Sequence, residues 1–171
     1  MPSFKKIRER AAKRKGGDAA LNKLLGAKPD NAALAKVPDD RILSTLAERI
    51  SKEHASFGKF LAAWPADDQI GLTTFLGKNG SRLGGATGRY LLRWLGWDTY
   101  IVSRDMVAAL RDAGLDIAEE PTSKKDLQKV QDQINAWVKE TGLPRMHISR
   151  ILSMSIGENN PPEKLQAYMG E

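Results

Sequence analysis

The sequence predicts an all-α protein. Apolar residues recur at spacings of three and four in one stretch after another, no segment sustains the alternation of a strand, and glycine or proline closes each periodic run. Ser3 is a cap residue, and a helix is predicted over 4–15 with Gly16-Gly17 as its stop. Asp18 caps a short helix to Leu25, ended by Gly26, and a polar connector with Pro29 follows. Val37-Pro38-Asp39 opens a helix in which Ile42, Leu46 and Ile50, with Leu43 beside them, form one apolar face.

Trp64-Pro65 marks a break. Pro65 and Asp67-Asp68 suit the first turn of a helix running to about Leu76, because carboxylates favour its positive end. Gly77-Lys78-Asn79-Gly80 reads as the stop. The next helix begins near Thr87 and runs to Leu95, with Gly96 closing it. Val102 to Ala113 is another, closed by Gly114. Ser123 with Asp126 resembles a capping box with Asp in place of Glu. Leu127, Val130, Ile134, Trp137 and Val138 line one face of the helix behind it, which Gly142 and Pro144 end. The last helix covers about 146–156, with Ile148, Ile151 and Leu152 inward. The resulting organisation is a basic helix or arm over 1–16, a single helical domain over 17–156, and a loose tail over 157–171 that carries a turn near 163–169.

With 171 residues, 41% of them hydrophobic, and four tryptophans, the chain can bury the core of one domain. The absence of cysteine excludes disulfides, thiolate zinc sites and iron–sulfur clusters. No apolar run approaches the ~20 residues that cross a bilayer, and no hydrophobic signal segment follows the basic N-terminus, so a cytoplasmic protein is expected. The net charge of +6 is unevenly placed: residues 1–15 hold Lys5, Lys6, Arg8, Arg10, Lys13, Arg14 and Lys15 against Glu9 alone. Such a segment is either a solvated helix or frayed tail, or an arm that neutralises phosphates. A second concentration spans 78–104, where Lys78, Arg82, Arg89, Arg93 and Arg104 face only Asp98.

That second concentration coincides with the stretch GSRLGGATGRY, in which Gly80, Gly84, Gly85 and Gly88 fall within nine positions. Glycine weakens helix and strand alike, so the cluster must serve the backbone. A P-loop would need lysine where Ala86 stands and a strand ahead of it; a dinucleotide fingerprint would need glycine where Leu83 stands. A plain interhelical turn explains one or two of the glycines. A helix-hairpin-helix at about 66–96 explains all four: the hairpin over 80–86 and the free N–H groups of the second helix converge where a phosphate can sit. Arg82 and Arg89 add charge-assisted contacts. The candidate DNA-binding residues are Lys78, Gly80, Ser81, Arg82, Gly84, Gly85, Thr87, Gly88 and Arg89.

From Trp64 onward the text WPADDQIGL, FLGKNGSRLGGATGRYLLRWLG, TYIVSRDMVAALRDAGL, PTSKKDLQKVQDQINAW and ISRILSMSI resembles the helix-hairpin-helix DNA glycosylases, in particular bacterial relatives of DNA-3-methyladenine glycosylase I. VPDDRILSTLAERI resembles the N-terminal region of the same family. The resemblance implies an all-α, helix-hairpin-helix glycosylase-like domain acting in base-excision repair. Its partner would be duplex DNA containing alkylated bases, and its reaction hydrolysis of the N-glycosidic bond of alkylated adenine such as 3-methyladenine. It implies no cofactor, since water is the only co-substrate, and it leaves room for a monovalent cation on hairpin carbonyls. Two departures stand out. Only Ser51 to Ser56 separate AERI from SFGKFLAAWP, where relatives carry several helices that build much of the base pocket. The zinc site of better-known members cannot exist with no Cys and only His54 and His147.

In the wider superfamily a carboxylate about twenty residues past the hairpin glycines supports the sugar cation. Asp105 lies 20 residues after Gly85 and is the catalytic candidate; an alternative alignment places Ser103 there, and a first-turn acid favoured by the helix dipole accounts for Asp105 as well. Asp98 reads as a turn cap. Trp94, Trp97 and Tyr100 either stack on a base or pack in the core, and Trp64 and Trp137 read as core. Two other functions remain open: a non-catalytic helix-hairpin-helix DNA-binding protein whose base pocket is lost, and a helical interaction module whose basic tail binds RNA or an acidic partner.

Overall fold

The computed structural model describes residues 4–14, 46, 50, 52–80 and 83–156, and among them the regular elements are helical, with no strand. In chain order the helices are α1 (Phe4–Arg14), α2 (Phe57–Ala63), α3 (Gln69–Asn79), α4 (Gly85–Trp94), α5 (Arg104–Asp112), α6 (Lys124–Thr141) and α7 (Arg145–Met154). The chain divides into two compact units, one formed by Met1–Lys28 with Val102–Glu171 and the other by Pro29–Ile101. The helix expected over 18–25, most of the one opening at Val37, and the tail from Gly157 lie outside the described residues. Leu46 and Ile50 are helical and buried, on the face expected for them.

In the first unit α7 packs against α1, α5 and α6. Ile148, Ile151 and Leu152 of α7 are buried, as are Val130, Ile134 and Trp137 of α6 and Met106, Val107 and Leu110 of α5. The basic N-terminal segment is a docked helix over its described length. Phe4, Ile7 and Ala11 are buried, and the Phe4 ring lies 5.4 Å from that of Trp137. Lys5, Lys6, Arg8 and Lys13 are exposed on the other side, and Arg10 pairs with Asp112. Burying each large apolar side chain contributes about 1.5–3 kcal/mol, which is what holds so basic a helix in place.

The second unit is organised around Leu46, Ile50, Phe57, Phe60, Leu61, Leu72, Leu76, Leu83, Leu92 and Trp97. Phe60 lies at the middle of an aromatic group, 5.0 Å from Phe75 and 5.3 Å from Trp64. The short junction ahead of α2 is closed locally. Ala55 takes a left-handed conformation at φ 63, Ser56 donates its N–H to the His54 carbonyl at 2.7 Å, and the Ser56 hydroxyl accepts from Lys59 N–H at 3.2 Å to cap α2. Ile50 and Phe57, on either side of it, join the same core.

Candidate nucleic-acid interface

The two helices flanking the glycine cluster, α3 and α4, pack against each other, joined by residues 80–84. The Asp68 carboxylate accepts from Gly71 N–H at 2.8 Å, so Asp68 is the cap of α3 and Asp67-Asp68 do not form its first turn. A cap carboxylate satisfies an orphan N–H directly, which outweighs the weaker dipole term expected of a first-turn acid. At the other end α3 continues through Gly77 and Lys78 to Asn79 rather than stopping at Gly77. The reason is tertiary: a Cβ on Gly77 would stand 3.3 Å from the Gly84 Cα, so glycine there lets the two arms of the hairpin approach.

The connector turns around Leu83, which is buried in the core of the unit. A Cβ on Gly80 would fall 2.5 Å from the Leu83 side chain, and one on Gly88 would fall 2.4 Å from the Leu83 carbonyl oxygen. Two of the four glycines therefore serve the chain's own packing. The other two differ. Gly85 sits at φ +59, which disfavours any L side chain. Gly84 has an ordinary φ of −75 and open space where a Cβ would be. Together they start α4 two residues earlier than Thr87.

A helix leaves its first N–H groups without internal partners. In α4 these belong to residues 84–87, all exposed, and among the described residues no side chain caps them. Lys78 is exposed in the last turn of α3. Arg89 is half-buried, and burial lowers its guanidinium below the ordinary value, with nearby Tyr100 opposing the shift. Ser81 and Arg82 lie outside the described residues. Lys78, Gly84, Gly85 and Thr87 are thus exposed, whereas Gly80 is half-buried and Gly88 buried. From Gln69 to Trp97 the sequence has four basic residues and no acidic one.

A buried polar clamp fixes this pair, and no periodicity in the sequence signals it. The Gln69 amide, at the start of α3, donates to the Tyr100 carbonyl at 2.9 Å. Its oxygen accepts from Tyr100 N–H at 2.8 Å and from the Thr99 hydroxyl at 2.6 Å. Arg93 of α4 donates to the Thr99 carbonyl at 3.1 Å. The segment after α4 is thereby tied to both helices. Trp97 and Tyr100 are core residues, and Trp64 is half-buried with its indole N–H donating to the Asp68 carbonyl at 2.9 Å. Trp94 is 79% exposed and Tyr90 43% exposed.

Asp105 belongs to the first unit. It is an exposed first-turn residue of α5, whose cap is the Ser103 hydroxyl accepting from Met106 N–H at 3.2 Å. It lines a cleft of about 450 Å³ with Arg104, Arg111, Glu119 and Glu120. His54 is exposed and His147 is buried, and among the described residues no three His, Asp or Glu side chains gather where they could hold a metal ion. No described helix is long and apolar enough to cross a membrane.

No protein-family model, curated protein or solved structure gives a significant match to this chain.

Proposed function

We propose that this chain binds duplex DNA at the N-terminal end of α4. The observation that carries the reading is the uncapped, exposed start of that helix at Gly84-Gly85, within a run of residues from 69 to 97 free of acidic side chains. Unpaired N–H groups and the positive helix end favour a phosphate oxygen, and Lys78 supplies an exposed cation in the last turn of the preceding helix. Contacts of this kind set position on a duplex and do not read its sequence. The resemblance to the helix-hairpin-helix glycosylases adds the reaction: hydrolysis of the N-glycosidic bond of alkylated adenine, with Asp105 stabilising the sugar cation and water as the nucleophile.

A second reading is favoured by the closed junction at 52–56. Ile50 and Phe57 already share one core across it, which supports a chain that does without the additional helices of the resembling enzymes. On that reading the chain binds DNA without cleaving it.

The test pairs binding with base release. The Cβ of residue 84 projects into open space, so Gly84→Glu should keep the fold and place a carboxylate where the phosphate would sit. Duplex affinity should fall about ten-fold and the salt dependence should weaken; unchanged affinity overturns the interface. Release of 3-methyladenine from methylated duplex, reduced about a hundred-fold or more by Asp105→Asn, supports the enzyme. Salt-dependent binding without release selects the second reading.

A further inference from the structure

Tyr90 and Trp94 stand one helical turn apart on α4, with ring centroids 6.3 Å apart and planes inclined by 37°. Gly88 and Leu92 turn inward from the same helix. The outward stripe therefore runs from Thr87 through Tyr90 to Trp94, starting at the helix end already assigned to phosphate. Core packing explains Trp97 and Tyr100 but not Trp94, whose ring stands in solvent. We propose that Tyr90 and Trp94 form a stacking platform for unpaired nucleobases of a strand whose phosphate is held at Gly84-Gly85. The chain would then prefer duplex that adjoins a single-stranded stretch. This rests on the DNA-binding reading above.

The dimensions suit it. At 1.5 Å per residue, Trp94 lies about 13.5 Å along the axis from Gly85, or about four base rises of 3.4 Å. Aromatic faces accept any base, and stacking partners flanked by cations are the usual means of holding single strands. Here Arg89 and Arg93 share the helix as half-buried cations, Arg93 also holding the Thr99 carbonyl. Charge also selects this occupant over a second copy of the chain. Self-association through this face would bring together two copies of a helix that carries Arg89 and Arg93 and no acidic residue. The two aromatic side chains would also bury far less than the ~800 Å² per partner of a stable interface, at 150–250 Å² each at most.

The experiment compares a blunt duplex with the same duplex carrying a short oligothymidine overhang, using the full chain. The wild type should bind the overhang form more tightly, and its tryptophan emission should be quenched on binding. Trp94→Ala should lower affinity for the overhang form about ten-fold and leave blunt-duplex affinity within about two-fold. Trp94→Phe should retain most of the overhang affinity but lose the quenching. Circular dichroism should be unchanged in both, since the side chain is outside the core. Equal losses on both DNAs, no loss on either, or a wild-type dimer that Trp94→Ala dissolves would each overturn the platform. Blunt-duplex binding that Gly84→Glu weakens would leave the DNA-binding reading standing in those cases. A wild type that binds neither DNA overturns both.

Discussion

Helices α4 and α5 end alike and begin differently. At the C-terminus of α4, Gly96 N–H donates to the Arg93 carbonyl and Trp97 N–H to the Leu92 carbonyl, at 3.1 and 2.9 Å. At the C-terminus of α5, Gly114 and Leu115 repeat the arrangement on Arg111 and Leu110, at 2.8 and 3.0 Å. Both are the paired 6→1 and 5→2 bonds of a left-handed glycine close, at φ +87 and +88. At the N-termini the resemblance stops. Ser103 caps α5, and Asp105 places a carboxylate in its first turn. Gly84 starts α4 with no side-chain cap and no acid in the first turn. Side chains likewise cap α2, α3 and α6, and α7 starts at Pro144, also without a side-chain cap. At α4 the same N–H groups are left exposed, and that contrast is what directs attention to an external anion.

The largest effect expected from breaking this contrast comes from the support beneath α4. Gln69→Leu removes three buried hydrogen bonds, from the Tyr100 N–H, the Thr99 hydroxyl and to the Tyr100 carbonyl, which still receives the Thr99 hydroxyl at 3.4 Å. A buried hydrogen bond contributes about 0.5–1.5 kcal/mol, so urea unfolding should show a loss of about 2–4 kcal/mol. A loss below 1 kcal/mol would mean that the clamp does not hold the pair. Gly88→Ala comes next. Helix propensity alone favours alanine by up to about 1 kcal/mol, but the added Cβ would meet the Leu83 carbonyl oxygen at 2.4 Å. Backbone cannot swing away as a side-chain end can, so a net loss of about 1–3 kcal/mol is expected. A gain would show that the connector yields and that Gly88 is not needed for packing.

These two positions show what the sequence could and could not reveal. Caps and closes were legible, because Ser123, Gly96, Gly114 and Gly142 act on neighbours a few residues away. Gly77 was misread as a stop because its reason, the approach of Gly84, lies across the hairpin. Gln69 carried no signal, since a buried amide that satisfies a distant segment has no spacing to detect. Trp94 and Trp97 read alike in sequence but separate in the fold. The α4 period that buries Gly88 and Leu92 sets Trp94 outward, and the left-handed close at Gly96 redirects Trp97 into the core. That two packed helices flank the glycine cluster was legible; the division of its glycines between internal packing and exposed positions was not.

The contrast in capping is itself measurable. Ser103→Ala should cost α5 about 1 kcal/mol, the usual value of a lost serine cap. Gly84→Ser should raise stability by a few tenths of a kcal/mol, since glycine is already a tolerable cap. If Gly84→Ser destabilised the protein, the open end of α4 would be a steric requirement of the hairpin rather than a vacancy for a ligand.

The smallest effect sharpens the electrostatic side of the comparison. The α3–α4 run lacks acids, whereas the first unit pairs Asp112 with Arg10 and Asp116 with Lys129. Lys129 donates to the Asp116 carboxylate at 2.9 Å, and that hydrogen bond, with the Lys129 charge, holds the Asp116 carboxyl below its ordinary range. A carboxyl depressed on folding binds its proton more weakly in the folded than in the unfolded chain. Its contribution is therefore full above the ordinary aspartate value, near 3.9, and is lost as pH falls through the lower folded value. Asp116 is fully exposed, so solvent and salt screen the pair. Asp116→Asn should lower the urea midpoint slightly at pH 7 and low salt, and less at high salt. The difference should vanish once the pH falls below the folded value. A difference that persisted in acid would assign the effect to packing or to the bond between Lys129 and the Asp116 carbonyl, which the substitution leaves in place.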